Sequence, residues 1–301
     1  MADNSRRQPN RLLFWPLLLL WLLILILGYF ALPREKPLAQ KQSHETYVSG
    51  ESFVSWFGLE HDDEGWYRSD FDNVDHFMQV GWAVDHIGFG AEGMSLKLSD
   101  QDSPTNRHTS GEYQRRGRYG FGRYEVIMRA PVGSGLVTSF FTHTGPYFGD
   151  PHDEIDFEIL GKNTRRIYLN WFTDGKVGQA VWHELGFDAT KEFHHYAFEW
   201  EPDAIRWYID GEQVYERPEG TTPVPQTPGR IIANLWTGTR QQYKWHGVPA
   251  FTPPVEAAYQ CMSFRRLDDA ETPTCADGWE GFPKSVTPKA DHDAVSAVED
   301  K

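Results

Sequence analysis

The sequence predicts an all-β protein in which about 220 residues form one domain of two packed sheets, preceded by one N-terminal transmembrane helix. From residue 50 to residue 268, short runs of alternating apolar and polar residues are separated by Gly, Pro and Asp. This pattern is typical of strands and turns, and many short strands of this kind occur in sandwiches, jelly rolls and barrels. Helical periodicity over ten or more residues is absent from this region.

Residues 12–32 are an apolar run of 21 residues without a charge, and about 20 apolar residues in a helix span a bilayer. Three arginines within residues 1–11 favour a cytoplasmic N-terminus. The alternative is a cleaved signal peptide, whose apolar region is normally about 7–15 residues long and ends at small residues. Here Pro33 follows directly, so we predict an uncleaved signal anchor, with residues 33–49 as a polar linker.

The strands of the domain are predicted from its alternating segments. Residues 204–216 predict a hairpin, because Asp210 and Gly211 lie at its centre and Asp-Gly favours the two-residue turns of hairpins. After residue 268 the chain becomes polar and acidic, so residues 269–301 are predicted to form a poorly ordered tail. The other predicted strands are residues 94–99, 122–130, 136–143, 153–160, 165–172, 194–201 and 229–236.

Composition excludes some classes of partner. The formal net charge of −14 argues against nucleic acid and against an anionic membrane surface, since both need patches of Lys and Arg. Twelve Trp and an aromatic content of 15% suit either a large core or a site that stacks on sugar rings. Two cysteines are too few for a Cys-type metal site, and no metal site is predicted. Cys261 and Cys275 could form a disulfide that attaches the tail to the last strand in an oxidising compartment.

Three acids, Glu154, Asp156 and Glu158, alternate along the strand "DEIDFEIL" and therefore share one face. Neighbouring like charges raise at least one pKa, and glycoside hydrolysis needs one ionised and one protonated carboxyl group. Retaining enzymes hold these groups about 5–5.5 Å apart. Four residues of strand span roughly 13 Å, and two long Glu side chains on a twisted sheet can close much of that gap. The alternatives are an exposed acidic face, or a metal site at His152, Asp153 and Glu154, whose adjacent side chains point to opposite faces.

These residues also resemble those of a known family. Over residues 53 to 266 the chain is similar to glycoside hydrolase family 16, a family of retaining endo-glycanases and transglycosylases. The resemblance implies a concanavalin-like β-jelly-roll sandwich of two antiparallel sheets, and the lichenase-like and exopolysaccharide endoglycanase branches match best. The segments that carry it are "GEYQRRGRYGFGRYEVIMRA", "GLVTSFFTHTG", "HDEIDFEILGK", "LNWFTDG", "LGFDATKEFHHYAFEWEPDAIRWYIDG" and "TPGRIIANLWTGT".

The resemblance implies a role for each acid. Glu154 matches the nucleophile, Glu158 the general acid/base, and Asp156 a helper that hydrogen-bonds the nucleophile. Glu112 matches a polar cleft residue that pairs with Arg115 or Arg116. The residues that match substrate-binding positions, among them Glu112 and the two arginines, are Phe71, Asn73, Glu112, Arg115, Arg116, His152, Asn170, Phe172, Asn234 and Trp236.

Two departures from the family pattern affect the expected specificity and metal content. Lichenases carry Trp where this chain has His152, so the resemblance does not imply strict lichenase specificity. The expected substrate is therefore β-1,3-1,4-glucan or a related bacterial exopolysaccharide. Gln260 replaces an Asp that commonly binds a structural calcium ion, so the resemblance leaves calcium open but disfavours it, and no other cofactor is expected. We therefore predict a retaining endo-β-glucanase anchored in the bacterial inner membrane and facing the periplasm or the exterior, or alternatively secreted. A transglycosylase with the same site and a non-catalytic jelly-roll lectin are the alternative functions.

Overall fold

Two antiparallel sheets packed face to face form most of the protein in the computed structural model, which describes residues 50–74, 77–281 and 296–297. The predicted all-β, two-sheet architecture is confirmed. Within the described ranges no helix is long and apolar enough to cross a membrane. The predicted anchor at residues 12–32 and the linker that follows it lie outside the described residues.

The described residues contain twenty strands and one four-residue α-helix, α1 (Tyr243–His246). Short 3₁₀ turns occur at Val84–His86, Pro146–Phe148, Arg240–Gln242 and Ala276–Gly278. In chain order the strands are β1 (Phe53–Trp56), β2 (Trp66–Arg68), β3 (Phe71–Asp72), β4 (Val80–Trp82), β5 (Ile87–Gly90), β6 (Gly93–Leu98), β7 (His108–Ser110), β8 (Glu112–Tyr119), β9 (Gly122–Arg129), β10 (Leu136–Thr144), β11 (Asp153–Leu160), β12 (Arg166–Thr173), β13 (Lys176–Val177), β14 (Val181–Glu184), β15 (His194–Trp200), β16 (Ile205–Ile209), β17 (Glu212–Glu216), β18 (Gly229–Thr237), β19 (Val255–Arg266) and β20 (Ser296–Ala297).

The strand order places β11 in the middle of one sheet. That sheet runs β2-β8-β18-β10-β11-β12-β14-β20, with β13 paired to β12. The opposite sheet runs β17-β16-β15-β9-β19-β6-β5, with β1 paired to β19. A third sheet of β3, β4 and β7 contains a parallel pair, β4 with β7, which the sequence did not predict. All pairs in the two large sheets are antiparallel, so their two faces can differ in polarity.

The core between the sheets fixes the orientation of β11. Ile155, Phe157 and Ile159 are fully buried on its inner face, and each such side chain contributes about 1.5–3 kcal/mol to stability. The ring of Phe157 packs edge-on against Tyr196 of the opposite sheet, with 5.7 Å between centroids. Because side chains alternate along a strand, this burial forces the acids of β11 onto the outer face of its sheet.

The predicted hairpin between β16 and β17 is present. Asp210 and Gly211 have φ values of 48° and 85°, and a two-residue turn with two positive φ angles matches the right-handed twist of the flanking strands. The Asp210 side chain accepts hydrogen bonds from the ring of His194 and from the backbone N–H of His195. The Asp carboxylate thus ties the turn to the neighbouring strand.

Cys261 and Cys275 form a disulfide across a sequence separation of 14 residues. Closing a loop of this length stabilises a folded chain by about 3 kcal/mol. The backbone N–H of Ala276 also donates to buried Glu125. Burial opposes ionisation of Glu125, but His195 and Arg123 lower its pKa to about 2. Residues 269–281, at the start of the predicted tail, are therefore attached to β19 and β9, whereas residues 282–295 and 298–301 lie outside the described structure.

Candidate active site

Strand β11 presents its three acids on the outer face of its sheet, between β10 and β12. Each acid has a register partner on both neighbouring strands, and side chains directly opposite each other on one face lie within contact distance. Each acid therefore lies in a row of neighbouring side chains that crosses the sheet at right angles to β11. The partners are His143 and Phe172 for Glu154, Phe141 and Asn170 for Asp156, and Ser139 and Tyr168 for Glu158.

Glu154 accepts hydrogen bonds from two imidazoles at one oxygen. His143 Nδ1 lies 2.8 Å from Glu154 Oε2, and His152 Nε2 lies 2.7 Å from the same atom. Burial alone would raise the pKa of Glu154, but hydrogen bonds from His143, His152 and Asp156 hold it far below its usual value. Burial also opposes protonation of His143, yet contact with the carboxylate raises the pKa of His143. Glu154 is therefore ionised at neutral pH.

Asp156 is buried between the two glutamates and is protonated. Burial raises the pKa of Asp156 well above its ordinary value, and the negative charges of Glu154 and Glu158 raise it further. The protonated carboxyl group donates its proton in a hydrogen bond to Glu154. The short side chain thus supports the ionised neighbour without adding a second negative charge.

Glu158 holds a proton at neutral pH. Burial raises the pKa of Glu158, and the charge of Glu154 raises it further, to about 8. Because Glu154 and Glu158 share one face of β11, a single exposed surface combines an ionised carboxylate and a protonated carboxylic acid. This pair can attack and protonate the two ends of one polar bond.

A second polar network lies on β18 and β8, which are two and three strands away from β11. Glu112 of β8 accepts hydrogen bonds from Ser69 Oγ at 2.7 Å, Gln114 Nε2 at 2.7 Å and Asn234 Nδ2 at 3.0 Å. Burial nevertheless raises the pKa of Glu112. Asn234 is the register partner of both Glu112 and Ser139, so the network continues the row that contains Glu158.

Asn170, Phe172 and His152 lie beside the acids. The ring of Phe172 stacks on His152, with 4.6 Å between centroids and 18° between planes. Asn170 is buried opposite Asp156, and its Oδ1 has no hydrogen-bond partner among the described residues. The same holds for Oδ1 of Asn234. Unpaired buried amide oxygens are costly unless a ligand or water satisfies them.

Arg115 does not belong to the cleft, and this part of the prediction was wrong. Glu112, Gln114 and Arg116 alternate on the outer face of β8, whereas Arg115 points to the opposite face. There its guanidinium lies 4.6 Å from the ring centroid of Phe53 and donates to Glu64 O at 2.8 Å. Arg116 lies on the outer face, where its Nε donates to Trp66 O at 2.8 Å. The hydrogen bonds to Glu112 come from Ser69, Gln114 and Asn234.

Trp236 is on the outer face, but it offers no open ring. It is only 2% exposed, its Nε1 donates to Ser139 Oγ at 3.3 Å, and Trp245 of α1 packs nearby. Phe77 covers it, with 5.5 Å between ring centroids, and is itself 50% exposed. The ring that is exposed at this position is therefore that of Phe77, which the sequence prediction missed.

Phe71 and Asn73 lie in and beside β3 of the small third sheet. Phe71 is exposed, whereas the Asn73 side chain donates to Val80 O at 2.7 Å. This hydrogen bond holds the loop that leads to Gln79, whose backbone N–H donates to Thr237 O at the end of β18. In this structure Asn73 shapes the loop that carries Phe77.

His143 is a residue of the candidate site that the sequence prediction missed. Its segment "LVTSFFTH" was predicted as a strand, but alternation along one strand does not reveal which residue of another strand lies opposite. Only the register of β10 on β11 places His143 beside Glu154.

At the position where the family commonly uses an Asp for structural calcium, this chain has Gln260. Gln260 offers a neutral amide in place of a carboxylate, and its backbone oxygen already accepts the N–H of Phe57 at 2.8 Å. No chemical step below depends on calcium.

Comparisons with known proteins identify one matching family model and several similar proteins. The family model described as glycosyl hydrolases family 16 matches residues 74–250. A β-glucanase of Acetivibrio thermocellus is 38% identical over 247 residues, which cover 82% of this chain and 70% of that protein. The Bacillus licheniformis β-glucanase structure shares 35% identity with a TM-score of 0.66, over 72% of this chain and 99% of that one. A β-1,3-1,4-glucanase (lichenase) derived from a mouse hindgut metagenome has a TM-score of 0.68 and 32% identity, over 72% of this chain and 100% of that one.

Proposed function

The chain belongs to glycosyl hydrolase family 16, and from that premise we propose that it is a retaining endo-β-glucanase with Glu154 as nucleophile and Glu158 as general acid/base. One observation carries the proposal: two carboxyl groups on one face of β11 have pKa values shifted in opposite directions. Retaining glycosidases need this division between an ionised and a protonated carboxyl group.

In the first step, the Glu154 carboxylate attacks the anomeric carbon while Glu158 transfers its proton to the glycosidic oxygen. The carbon–oxygen bond breaks, one half of the glucan leaves as an alcohol, and the other half becomes an ester of Glu154. Hydrogen bonds from His143, His152 and Asp156 keep Glu154 ionised and oriented before this attack.

In the second step, Glu158 acts as a base. The charge of Glu154 is one cause of the raised pKa of Glu158, and that charge disappears when Glu154 becomes an ester. The pKa of Glu158 therefore falls, so the carboxylate can take a proton from water that attacks the same carbon. Glu154 leaves as a carboxylate that its three hydrogen-bond donors stabilise, and two inversions give net retention.

Two amides and one exposed ring support binding of a sugar chain. Asn170 Oδ1 and Asn234 Oδ1 are buried without hydrogen-bond partners among the described residues, so a sugar hydroxyl group would satisfy either oxygen only if substrate binding uncovers it. Phe77 is 50% exposed, and the exposed part of its ring suits stacking against a pyranose face. The names of the relatives favour β-glucan, and β-1,3-1,4-glucan in particular, although His152 leaves a related bacterial exopolysaccharide as the second substrate class.

The proposal predicts only shorter oligosaccharides from mixed-linkage β-glucan, released first as the β-anomer. Proton NMR during the first minutes of digestion reports the anomer, and chromatography of the products reports chain length. A panel with pure β-1,3-glucan, pure β-1,4-glucan and an acidic exopolysaccharide serves as the specificity control. Initial release of the α-anomer would overturn the retaining mechanism, and products longer than the substrate would favour a transglycosylase.

We also propose that the domain is held at the outer face of a bacterial inner membrane by residues 12–32. The charge-free apolar run supports this location, and so does the disulfide, because disulfides persist in oxidising compartments. The chain is expected in the inner-membrane fraction, resistant to a salt wash, with its domain digested by protease added to spheroplasts. Recovery of the protein from the culture supernatant would instead indicate cleavage and secretion.

A further inference from the structure

Three side chains of the site converge closely enough to act together as metal ligands. One nitrogen of His143, one nitrogen of His152 and one carboxylate oxygen of Glu154 all lie within 4.8 Å of one another. In the part of the chain that the structure describes, no other group of three such ligands occurs. These ligands come from β10, from the residue before β11 and from β11 itself, so two neighbouring strands hold them.

The local packing leaves this group of ligands accessible. The side chains of His143 and His152 are each 31% exposed, and that of Glu154 is 19% exposed. Stacking on Phe172 fixes the His152 ring. Asp153 takes no part, because its side chain points away and accepts backbone N–H groups of Asp174, Gln226 and Thr227.

Two imidazoles and one carboxylate are donors that suit zinc and similar transition-metal ions. Bonds of about 2.0–2.2 Å place the ligands of a tetrahedral zinc ion roughly 3.3 Å apart. The two nitrogens already lie 2.8 and 2.7 Å from the Glu154 oxygen. A metal ion would replace the protons that these two nitrogens donate to Glu154, and small side-chain rotations would then separate the ligands enough to admit the ion.

We propose that His143, His152 and Glu154 form a binding site for a divalent transition-metal ion of the zinc type. The site uses the carboxylate assigned as nucleophile, so an ion bound at Glu154 Oε2 withdraws negative charge from the group that must attack the sugar and occupies the space beside it. Metal binding and catalysis are therefore mutually exclusive, and zinc is a competitive inhibitor of the hydrolase. Magnesium and calcium, which prefer oxygen ligands, bind there weakly. The inhibitory consequence rests on the proposed function, whereas metal binding does not.

The test titrates zinc onto the metal-free full chain, without an affinity tag, in competition with a chromogenic chelator. We expect His143→Ala and His152→Ala each to lose one tightly bound zinc equivalent, or to bind it at least tenfold more weakly. His183→Ala removes a histidine of β14 outside the group and should leave zinc binding unchanged. Thermal unfolding of each variant confirms that it is folded, and the two histidines provide independent variants should one fail to fold.

Activity supplies the second measurement. Zinc should inhibit the unmodified enzyme reversibly, with activity restored by EDTA, and magnesium should not inhibit it. The zinc concentration for half inhibition of residual activity should rise at least tenfold in His152→Ala. Equal zinc stoichiometry and affinity in the unmodified chain and both histidine variants would overturn the metal site. If the chain binds zinc through this group but cleaves no glucan, the metal site stands and the proposed function fails.

Discussion

Replacing Glu154 with Ala is expected to lower kcat on β-glucan by roughly 10⁵-fold, the scale seen when a covalent nucleophile is removed. Glu154 supplies the only new bond that forms to the anomeric carbon in the first step of the proposed mechanism. Water cannot readily replace the carboxylate, because the sugar is placed for attack by a group fixed to β11. Initial rates of reducing-sugar release measure the loss, and Glu212→Gln, an exposed acid of the opposite sheet, should retain full activity.

Azide distinguishes a missing nucleophile from a damaged fold. In Glu154→Ala, azide can enter the space left by the side chain and attack the anomeric carbon while Glu158 still protonates the leaving oxygen. A single inversion then gives an α-configured glycosyl azide. Binding of a glucan oligosaccharide, measured by calorimetry, should remain close to that of the unmodified enzyme. Turnover within tenfold of the unmodified enzyme would remove Glu154 from its assigned role.

The position of the three acids was predictable because one face of their strand is apolar. Ile155 and Phe157 must be buried, so alternation alone directs Glu154 and Glu158 to the other face. The same kind of sequence pattern predicted the strand that carries Asn234. Strand β19, the longest in the described structure, was predicted only as the last strand, which carries Cys261, and its bounds were not predicted because a register shift between Tyr259 and Cys261 interrupts its alternation.

Features that depend on strand pairing were not predictable from one sequence. Alternation tells which face a residue occupies but not which residue of another strand lies opposite, so the contact of His143 with Glu154 appears only in the fold. Arg115 shows the related difficulty, since an error of one residue moves a side chain to the other face of the sheet. The burial of Trp236 depends on a separate loop that carries Phe77, and no local pattern reports that packing.

The pKa shifts in the site also arise from packing. The sequence predicts that three carboxyl groups on one face cannot all ionise, but it does not say which of them keeps its charge. Of the three acids, Glu154 is the one to which the two histidines donate hydrogen bonds. These hydrogen bonds lower the pKa of Glu154, so Glu154 is the acid that keeps its charge. No such contact offsets the burial of Glu158 among the described residues, so burial and the charge of Glu154 raise its pKa.

Replacing Glu158 with Ala is expected to lower kcat/KM on β-glucan by roughly 10²–10⁴-fold, the range for loss of a general acid. With a dinitrophenyl β-glycoside, the rate of the first step should fall far less, because dinitrophenolate leaves without a proton. The second step still lacks its base, so a pre-steady-state burst of dinitrophenolate is expected. Azide needs no base, and its attack on the ester of Glu154 gives a β-configured glycosyl azide, opposite to the product expected from Glu154→Ala.

The pH dependence supplies an independent check on the same residue. Glu158 must be protonated to act as the acid, and its pKa is raised to about 8, so kcat/KM on β-glucan should be high below that pH and fall above it. In Glu158→Ala with the dinitrophenyl substrate, this alkaline decrease in the rate of the burst should be absent, because no proton is donated. An unchanged alkaline decrease in that variant would assign the titrating acid to another residue. The opposite azide anomers and the loss of the alkaline decrease together separate the two glutamates, which a simple loss of activity cannot do.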